Sequence, residues 1–132
     1  MREITIFLIS ALCVLMMIVS CSGPQKSAEE ENALNSLIRI QDSLEGNITY
    51  DNFVGMLNEA KLDLDRLKRS RENQCFISAV DKCYASYEIA RKAWKQKMIT
   101  DDAKRKQDMD MTFSFSISFA SLNIEKANNC YK

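Results

Sequence analysis

Hydrophobic residues along this chain form one continuous run and then recur at short, regular intervals. The run extends from Ile4 to Val19 and is interrupted only by Thr5 and Ser10. From about residue 28 onward, apolar residues return every three or four positions, the spacing that places side chains on one face of an α-helix. The pattern therefore predicts an apolar N-terminal segment followed by an all-α body.

The first periodic stretch predicts a helix over residues 28–45. Ser27 and Glu30 have the spacing of a capping box, in which each side chain accepts a hydrogen bond from the other residue's backbone N–H. Gly46 and Asn47, which tolerate a positive φ angle, are expected to end the helix. The apolar stripe of this helix consists of Ala33, Leu37, Ile40 and Leu44.

Two further helices follow, each with its own apolar stripe. Thr49 or Asp51 can cap the second helix, and residues 70–74 form a polar joint before the third. Residues 100–102 carry the polar side chains that start a new helix. The stripe of the second helix is Tyr50, Phe53, Leu57, Ala60, Leu64 and Leu67. The stripe of the third helix is Phe76, Val80, Cys83, Tyr87, Ala90, Trp94 and Met98.

The last third of the chain supports two predictions. Between residues 109 and 119 apolar and polar residues alternate, which is typical of a β-strand. Phe115, Phe119 and Leu122 also fit one face of a helix, and a single strand would have no partner in a helical chain. We therefore favour a fourth helix, and a strand that pairs with a second copy of the protein is the alternative. Residues 28–132 are predicted to form a three- to four-helix up-and-down bundle.

Composition excludes several classes of function. The chain of 132 residues has 18 Lys and Arg against 18 Asp and Glu, so it lacks the basic excess of a nucleic-acid binder. It contains no histidine, which excludes Ser-His-Asp and Cys-His catalytic sites and most zinc sites. It also has no Gly-rich phosphate loop and no nucleophile elbow. We predict no metal site, no cofactor, no nucleic-acid partner and no enzymatic activity.

The sequence Ile18-Val19-Ser20-Cys21 ends the apolar run and resembles the lipobox of bacterial lipoproteins, here with a small helical-bundle body. The resemblance implies that residues 1–20 are a signal peptide cleaved before Cys21. It also implies that the Cys21 thiol carries a diacylglyceryl group, so that residues 21–27 form a lipidated tether to the bilayer. An uncleaved membrane anchor and a secreted protein cut nearby are the alternatives.

The same resemblance implies an extracytoplasmic address. Ser22 stands where an aspartate commonly retains lipoproteins in the inner membrane. A bacterium with two membranes would therefore sort the protein to the outer membrane, facing the periplasm. In a cell with one membrane, the protein would lie on the outer face of the cytoplasmic membrane.

Three cysteines lie in the predicted body: Cys75, Cys83 and Cys130. An exported protein meets an oxidising compartment, which favours one disulfide and leaves one free thiol. Cys75 and Cys83 would lie about 12 Å apart on one helix, which is too far for a bond. We favour a Cys75–Cys130 disulfide with Cys83 buried as a small hydrophobe, and Cys83–Cys130 is the alternative.

Aromatic residues supply the candidate binding site. Tyr87 and Trp94 on the third helix, with Phe115 and Phe119 on the fourth, define a candidate groove for an apolar ligand or partner. The leading hypothesis is a membrane-anchored, non-enzymatic interaction module of the cell envelope that binds an envelope protein. The second is a carrier or sensor of a small apolar ligand held between the helices. An enzyme ranks third because no acid, base and nucleophile form a recognisable set.

Overall fold

The computed structural model describes residues 25–131, which form an all-α bundle. Connections of three or four residues join consecutive helices, so neighbours in sequence run antiparallel. The predicted helical bundle is confirmed, whereas the predicted signal peptide and Cys21 lie outside the described residues. The four helices are α1 (Ala28–Glu45), α2 (Tyr50–Ser70), α3 (Gln74–Ile99) and α4 (Ala103–Asn129).

Each helix begins at a polar cap. The Ser27 hydroxyl accepts a hydrogen bond from the Glu30 N–H at 3.3 Å, and Glu30 Oε2 accepts one from the Ser27 N–H at 2.8 Å, which is the predicted capping box. Thr49, Asn73 and Asp102 cap α2, α3 and α4 through the same bond to the third helical residue. Because these bonds satisfy backbone donors that a helix leaves unpaired, they fix where each helix begins.

Gly46 ends α1 without using its tolerance of a positive φ angle. Its backbone is extended, with φ −94° and ψ −170°, and its N–H donates to the Ser43 carbonyl at 3.2 Å. The chain continues to the Thr49 cap, which is also extended, so the connection needs no left-handed residue. The positive φ lies instead at Arg71, at 54°, between α2 and α3. The residue type gives no signal for that conformation.

Large side chains of α1, α2 and α3 fill most of the core. The buried faces of these helices follow the predicted stripes, although Leu44, Tyr50 and Trp94 are half-buried and Met98 is exposed. Burial of one large apolar side chain contributes about 1.5–3 kcal/mol to stability. The fully buried large residues include Leu37, Ile40, Phe53, Leu57, Leu67, Phe76, Val80 and Tyr87.

α4 packs through smaller side chains than the other helices do. On α3, the buried small residues Ala79, Ser86 and Ala93 lie on one face. The same face carries Cys75, which forms the disulfide to Cys130 at the end of α4, and Lys97, which forms an ion pair with Asp110 of α4. We call the packed α3 and α4 faces the small-residue seam. Among the described residues, α4 lies against α3 and α1 and not against α2. The buried residues of α4 are Ser116, Ala120, Asn123, Ile124 and Ala127.

The alternating segment from 109 to 119 lies entirely within α4, so the strand alternative is wrong and the fourth helix is confirmed. The hydroxyls of Thr112, Ser116 and Ser118 donate to carbonyls four residues earlier, at 2.8–3.0 Å, and are satisfied inside the helix. Residues two apart on a helix differ in direction by about 200°. The alternation therefore turns Phe113 towards the core and Phe115 towards solvent.

Candidate functional site

Trp94, the single tryptophan of the chain, lies at the centre of an aromatic cluster near one end of the bundle. Its ring centroid is 5.7 Å from those of Tyr50 and Phe53 on α2 and 5.5 Å from that of Phe113 on α4. The Tyr50 and Phe113 rings meet the indole edge-on, which is a favoured geometry for aromatic pairs. The cluster thus places Trp94 where side chains of α2, α3 and α4 converge.

A pocket of about 290 Å³, which we call the Trp94 pocket, opens beside this cluster. It lies between the end of α1, the first connection, the end of α3 and the start of α4. Lys97 and Asp110 line it and form an ion pair with each other. Its volume is at the lower limit of small-molecule sites, so it suits a small apolar molecule with one polar group. The apolar lining consists of Leu44, Ile48, Trp94, Met109 and Phe113.

The four residues of the predicted groove do not come together in one site. Tyr87 is fully buried in the core, where its hydroxyl donates to the Leu37 carbonyl at 3.3 Å and burial raises its pKa. Trp94 lines the pocket. Phe115 and Phe119 lie on the outer side of α4, 76% and 50% exposed. The structure therefore separates an inner aromatic site from an outer apolar face.

Phe113 is the pocket residue that the predicted groove omits. Phe113 follows the same helical face as Ser116 and Ala120, and this face is buried. The signal in the sequence is the row of small residues on α4, which marks the side that can approach another helix closely. Residue type and size do not distinguish Phe113 from Phe115, which faces solvent.

Four large apolar side chains form a continuous exposed row along α4. Successive members of this row are four, four and three residues apart, which keeps them on one helical face. Their exposed fractions are 59%, 76%, 50% and 52% in chain order. These side chains form one contiguous apolar patch rather than scattered exposed residues. We call it the outer stripe; it consists of Met111, Phe115, Phe119 and Leu122.

Cys75 and Cys130 pair at disulfide distance, with their Cα atoms 5.8 Å apart. The pair joins the first turn of α3 to the end of α4 and agrees with the favoured prediction. Cys83 is a free cysteine in the core, and burial raises the pKa of its thiol to about 12. The Cys83 thiol therefore stays protonated at neutral pH, when it behaves as a small hydrophobe rather than a nucleophile.

Within residues 25–131, no group of three His, Cys, Asp or Glu side chains is arranged to hold a metal ion. None of the four described helices has both the length and the apolar character of a bilayer-spanning segment.

Comparison with known proteins adds no relative to this description. The chain matches no protein-family model, no curated protein and no solved structure. Functional conclusions therefore depend on the residues themselves: the Trp94 pocket, the outer stripe, the cysteines and the N-terminal sequence pattern.

Proposed function

We propose that this protein is a membrane-anchored extracytoplasmic lipoprotein whose bundle is a non-enzymatic interaction module of the cell envelope. Lipid on Cys21 would hold it at a bilayer, and residues 22–27 would provide a short tether. The outer stripe would then bind a protein partner. The observation that carries the proposal is the exposure of this stripe, because large apolar side chains in a row gain free energy when a partner removes them from water.

Two independent observations support an address outside the cytoplasm. The lipobox-like sequence ending at Cys21 supports export and lipid attachment. The Cys75–Cys130 pair suits an oxidising compartment, since disulfides form and persist there and are rare in the cytosol. A disulfide is also useful to a body of this size, whose single core is modest.

The start of the bundle supports a body held close to a membrane. The Lys26 ammonium donates to Asn128 Oδ1 at 2.7 Å and lies 5.6 Å from the centre of the Tyr131 ring. The chain therefore joins the bundle beside the C-terminal end of α4. Lys26 follows Cys21 by five positions in the sequence. A fully extended backbone of that length spans at most about 18 Å, which keeps the bundle near the lipid.

The intact mass of the full chain extracted from membranes tests the anchor. We expect a polypeptide that starts at Cys21 and carries added acyl mass. A Cys21→Ser variant should lose that mass and leave the membrane fraction, while keeping the helical bundle. A chain that starts at Met1, or one cut nearby without lipid, would contradict the lipoprotein proposal.

A second candidate function, the binding of a small apolar ligand, is favoured by the Trp94 pocket. Because Trp94 is the single tryptophan, its fluorescence reports on the pocket directly. Saturable quenching by a medium-chain fatty acid is expected if the pocket binds such molecules. A Met109→Phe variant should fill part of the pocket and weaken the effect, whereas Met98→Phe, at an exposed position outside it, should not. Equal quenching of both variants, or no saturation, would rule this function out.

A further inference from the structure

The two phenylalanines of the outer stripe, and one charged residue beyond each end of it, are spaced evenly about a single position on α4. Phe115 and Phe119 lie two residues on either side of position 117, and Asp108 and Lys126 lie nine residues on either side. A two-fold axis at the level of position 117, perpendicular to α4, therefore places Phe115 of one copy opposite Phe119 of the other, and Asp108 of one copy opposite Lys126 of the other. All members of this face are exposed: Asp108, Met111, Phe115, Phe119, Leu122 and Lys126.

We infer that the outer stripe is a homodimer interface, on which a second copy of this chain packs its own α4 in the antiparallel direction. Phe115 then faces Phe119 of the second copy, and Asp108 faces Lys126 of the second copy. Two-fold symmetry makes each of these contacts twice. The inference rests on the proposed function in one respect, that the outer stripe is an interaction surface, and it names the partner.

Charge selects the antiparallel direction. Among the described residues, neither Asp108 nor Lys126 takes part in an ion pair within its own chain. In a parallel dimer each of these residues would face its own copy, and like charges placed together oppose association. In the antiparallel dimer both charges meet a partner of opposite sign at the two ends of the apolar row.

The exposed rings of Phe115 and Phe119 supply about a third of the area that such an interface needs. Phe115 and Phe119 are both at least half exposed. Together they leave roughly 200–300 Å² of ring surface in water, since a buried aromatic side chain covers about 150–250 Å². A stable interface buries about 800 Å² per partner, so neighbouring side chains must contribute.

Ile89 on α3 is exposed and is one such neighbour. It follows Lys82, which lines a surface pocket together with Lys126 of α4, by seven positions and therefore lies on the same face of α3. It precedes Lys97 by eight positions, and Ser118 follows Asp110 by eight positions. The Lys97–Asp110 ion pair joins the two antiparallel helices and therefore sets Ile89 level with the middle of the stripe.

A lipid surface fits the outer stripe less well than a second copy does. The carboxylates of Asp108 and Glu125 are exposed beside the stripe, together with the ammonium of Lys126, so the charges there give an anionic bilayer no clear attraction. Insertion of the stripe into lipid would also take these carboxylates out of water without a partner charge, which is costly. The antiparallel dimer leaves Glu125 at the edge and pairs Asp108.

Both copies of the antiparallel dimer can keep their lipid anchors in the same bilayer if the dimer lies in one orientation on the membrane. Because Lys26 contacts the C-terminal end of α4, the two chains enter an antiparallel dimer at opposite ends. α4 has 27 residues. A helix of that length is about 40 Å long, whereas the tether spans at most about 18 Å. Both anchors therefore reach one membrane when the helices lie along its surface.

Photo-crosslinking of the full chain in the membranes of a producing cell tests the inference. Phe115 is replaced by a photoreactive phenylalanine, p-benzoylphenylalanine, which keeps an aromatic ring at this exposed position. We expect an adduct of twice the chain mass, with the crosslink mapped to the segment around Phe119. The matched control carries the same probe at Leu62, which is 59% exposed on α2 and lies away from the stripe, and it should give no dimer.

Charge reversal tests the direction of packing. Asp108→Lys in the probe-bearing chain should lower the dimer yield by about tenfold, because two ion pairs become repulsive at once. Adding Lys126→Asp to the same chain should restore the yield, since the antiparallel dimer then pairs the reversed charges. The same melting temperature in all variants shows that the fold is retained.

Each other outcome overturns the inference. No adduct, an adduct with lipid, or an adduct with a different protein excludes the second copy as the occupant of the stripe. Failure of the double variant to restore the dimer excludes antiparallel packing. The lipid anchor at Cys21 is tested separately, by the intact mass of the chain. An adduct with another protein would overturn the homodimer and still support an interaction module. Failure of the inference is therefore distinguishable from failure of the proposed function.

Discussion

Helices α2 and α4 are both amphipathic, but α4 carries, in addition to its buried face, a row of large apolar residues exposed to solvent. In α2 the large residues, such as Phe53 and Leu57, face the core, and charged residues face solvent. In α4 the large residues Phe115 and Phe119 face solvent, while Ala120 faces the core. An apolar stripe on a helix therefore does not by itself show that the helix buries that face in its own bundle. The other helices bury the stripe of α2, whereas the outer stripe of α4 stays in contact with water.

The contrast has an energetic consequence. Burial of large apolar side chains anchors α2, whereas α4 buries mainly small residues, whose transfer from water contributes less free energy. α4 gains from close approach to α3 along the small-residue seam and from the disulfide between Cys75 and Cys130. We therefore expect α4 to be the helix that loosens first and the one that benefits most from a partner.

The strongest test of the comparison substitutes one phenylalanine on each helix. Phe53→Ala should lower the free energy of unfolding by about 3–5 kcal/mol, because Phe53 is fully buried and its loss leaves a cavity. Phe115 is 76% exposed. Phe115→Ala should therefore change the free energy of unfolding by no more than about 0.5 kcal/mol. Urea unfolding at a protein concentration where sedimentation shows a monomer provides the measurement. A large loss of unfolding free energy in the monomeric Phe115→Ala variant would contradict the exposed position of Phe115 on α4.

The disulfide should matter more to α4 than to α2. The two cysteines are separated by 55 positions in the sequence. Removal of a crosslink that closes a loop of this size should cost about 4 kcal/mol in the chain-entropy model. A Cys75→Ser, Cys130→Ser double variant reports this cost without a reductant. Amide hydrogen exchange should rise most in α4. An equal rise of amide hydrogen exchange in α2 would show that the two helices open together, and α4 would then not be the less stable of the two.

A bulky residue should be harmful on one side of α4 and tolerated on the other. Ala120 is fully buried in the small-residue seam, where a larger side chain forces α4 away from α3. Ala120→Leu should therefore lower stability by about 1–3 kcal/mol. Ser118 is exposed. Ser118→Leu should change stability by no more than about 0.5 kcal/mol. Thermal unfolding of both variants decides the matter, and similar melting temperatures would mean that the seam is not tightly packed.

Moderately alkaline pH should lower the stability of the bundle through the buried core and not through the outer stripe. Burial raises the pKa of the Cys83 thiol from 9.0 to about 12, so above pH 9 the unfolded chain binds fewer protons than the folded one. The free energy of unfolding should therefore fall as pH rises, by about 0.7 kcal/mol between about pH 8.5 and 9.5. A Cys83→Ala variant should lose this contribution and keep a smaller slope from Tyr84, Tyr87 and Tyr131, whose pKa values burial also raises. An unchanged slope in that variant would show that another group is responsible.

Local sequence signals predicted most of the fold. The capping box at Ser27, the break before Ala103 and the stripes of the first three helices were sufficient to place those elements, because capping and periodicity act within a few residues. Helix geometry excluded a Cys75–Cys83 bond, and the structure then distinguished the favoured Cys75–Cys130 pair from the Cys83–Cys130 alternative. The aromatic site did not, since it depends on which face of α4 turns inward, and Phe113 and Phe115 are equivalent in residue type.

Periodicity and capping residues along the chain predict the amphipathic helices and the residues that share a face on each, and helix geometry excludes a Cys75–Cys83 bond. The packing of the helices against one another selects which face of α4 turns inward, and it leaves Phe115 in water. The physical reason is that hydrophobicity favours burial of either face of α4. Close approach to α3, with Cys130 held at Cys75, requires the face that carries the small residues Ser116 and Ala120.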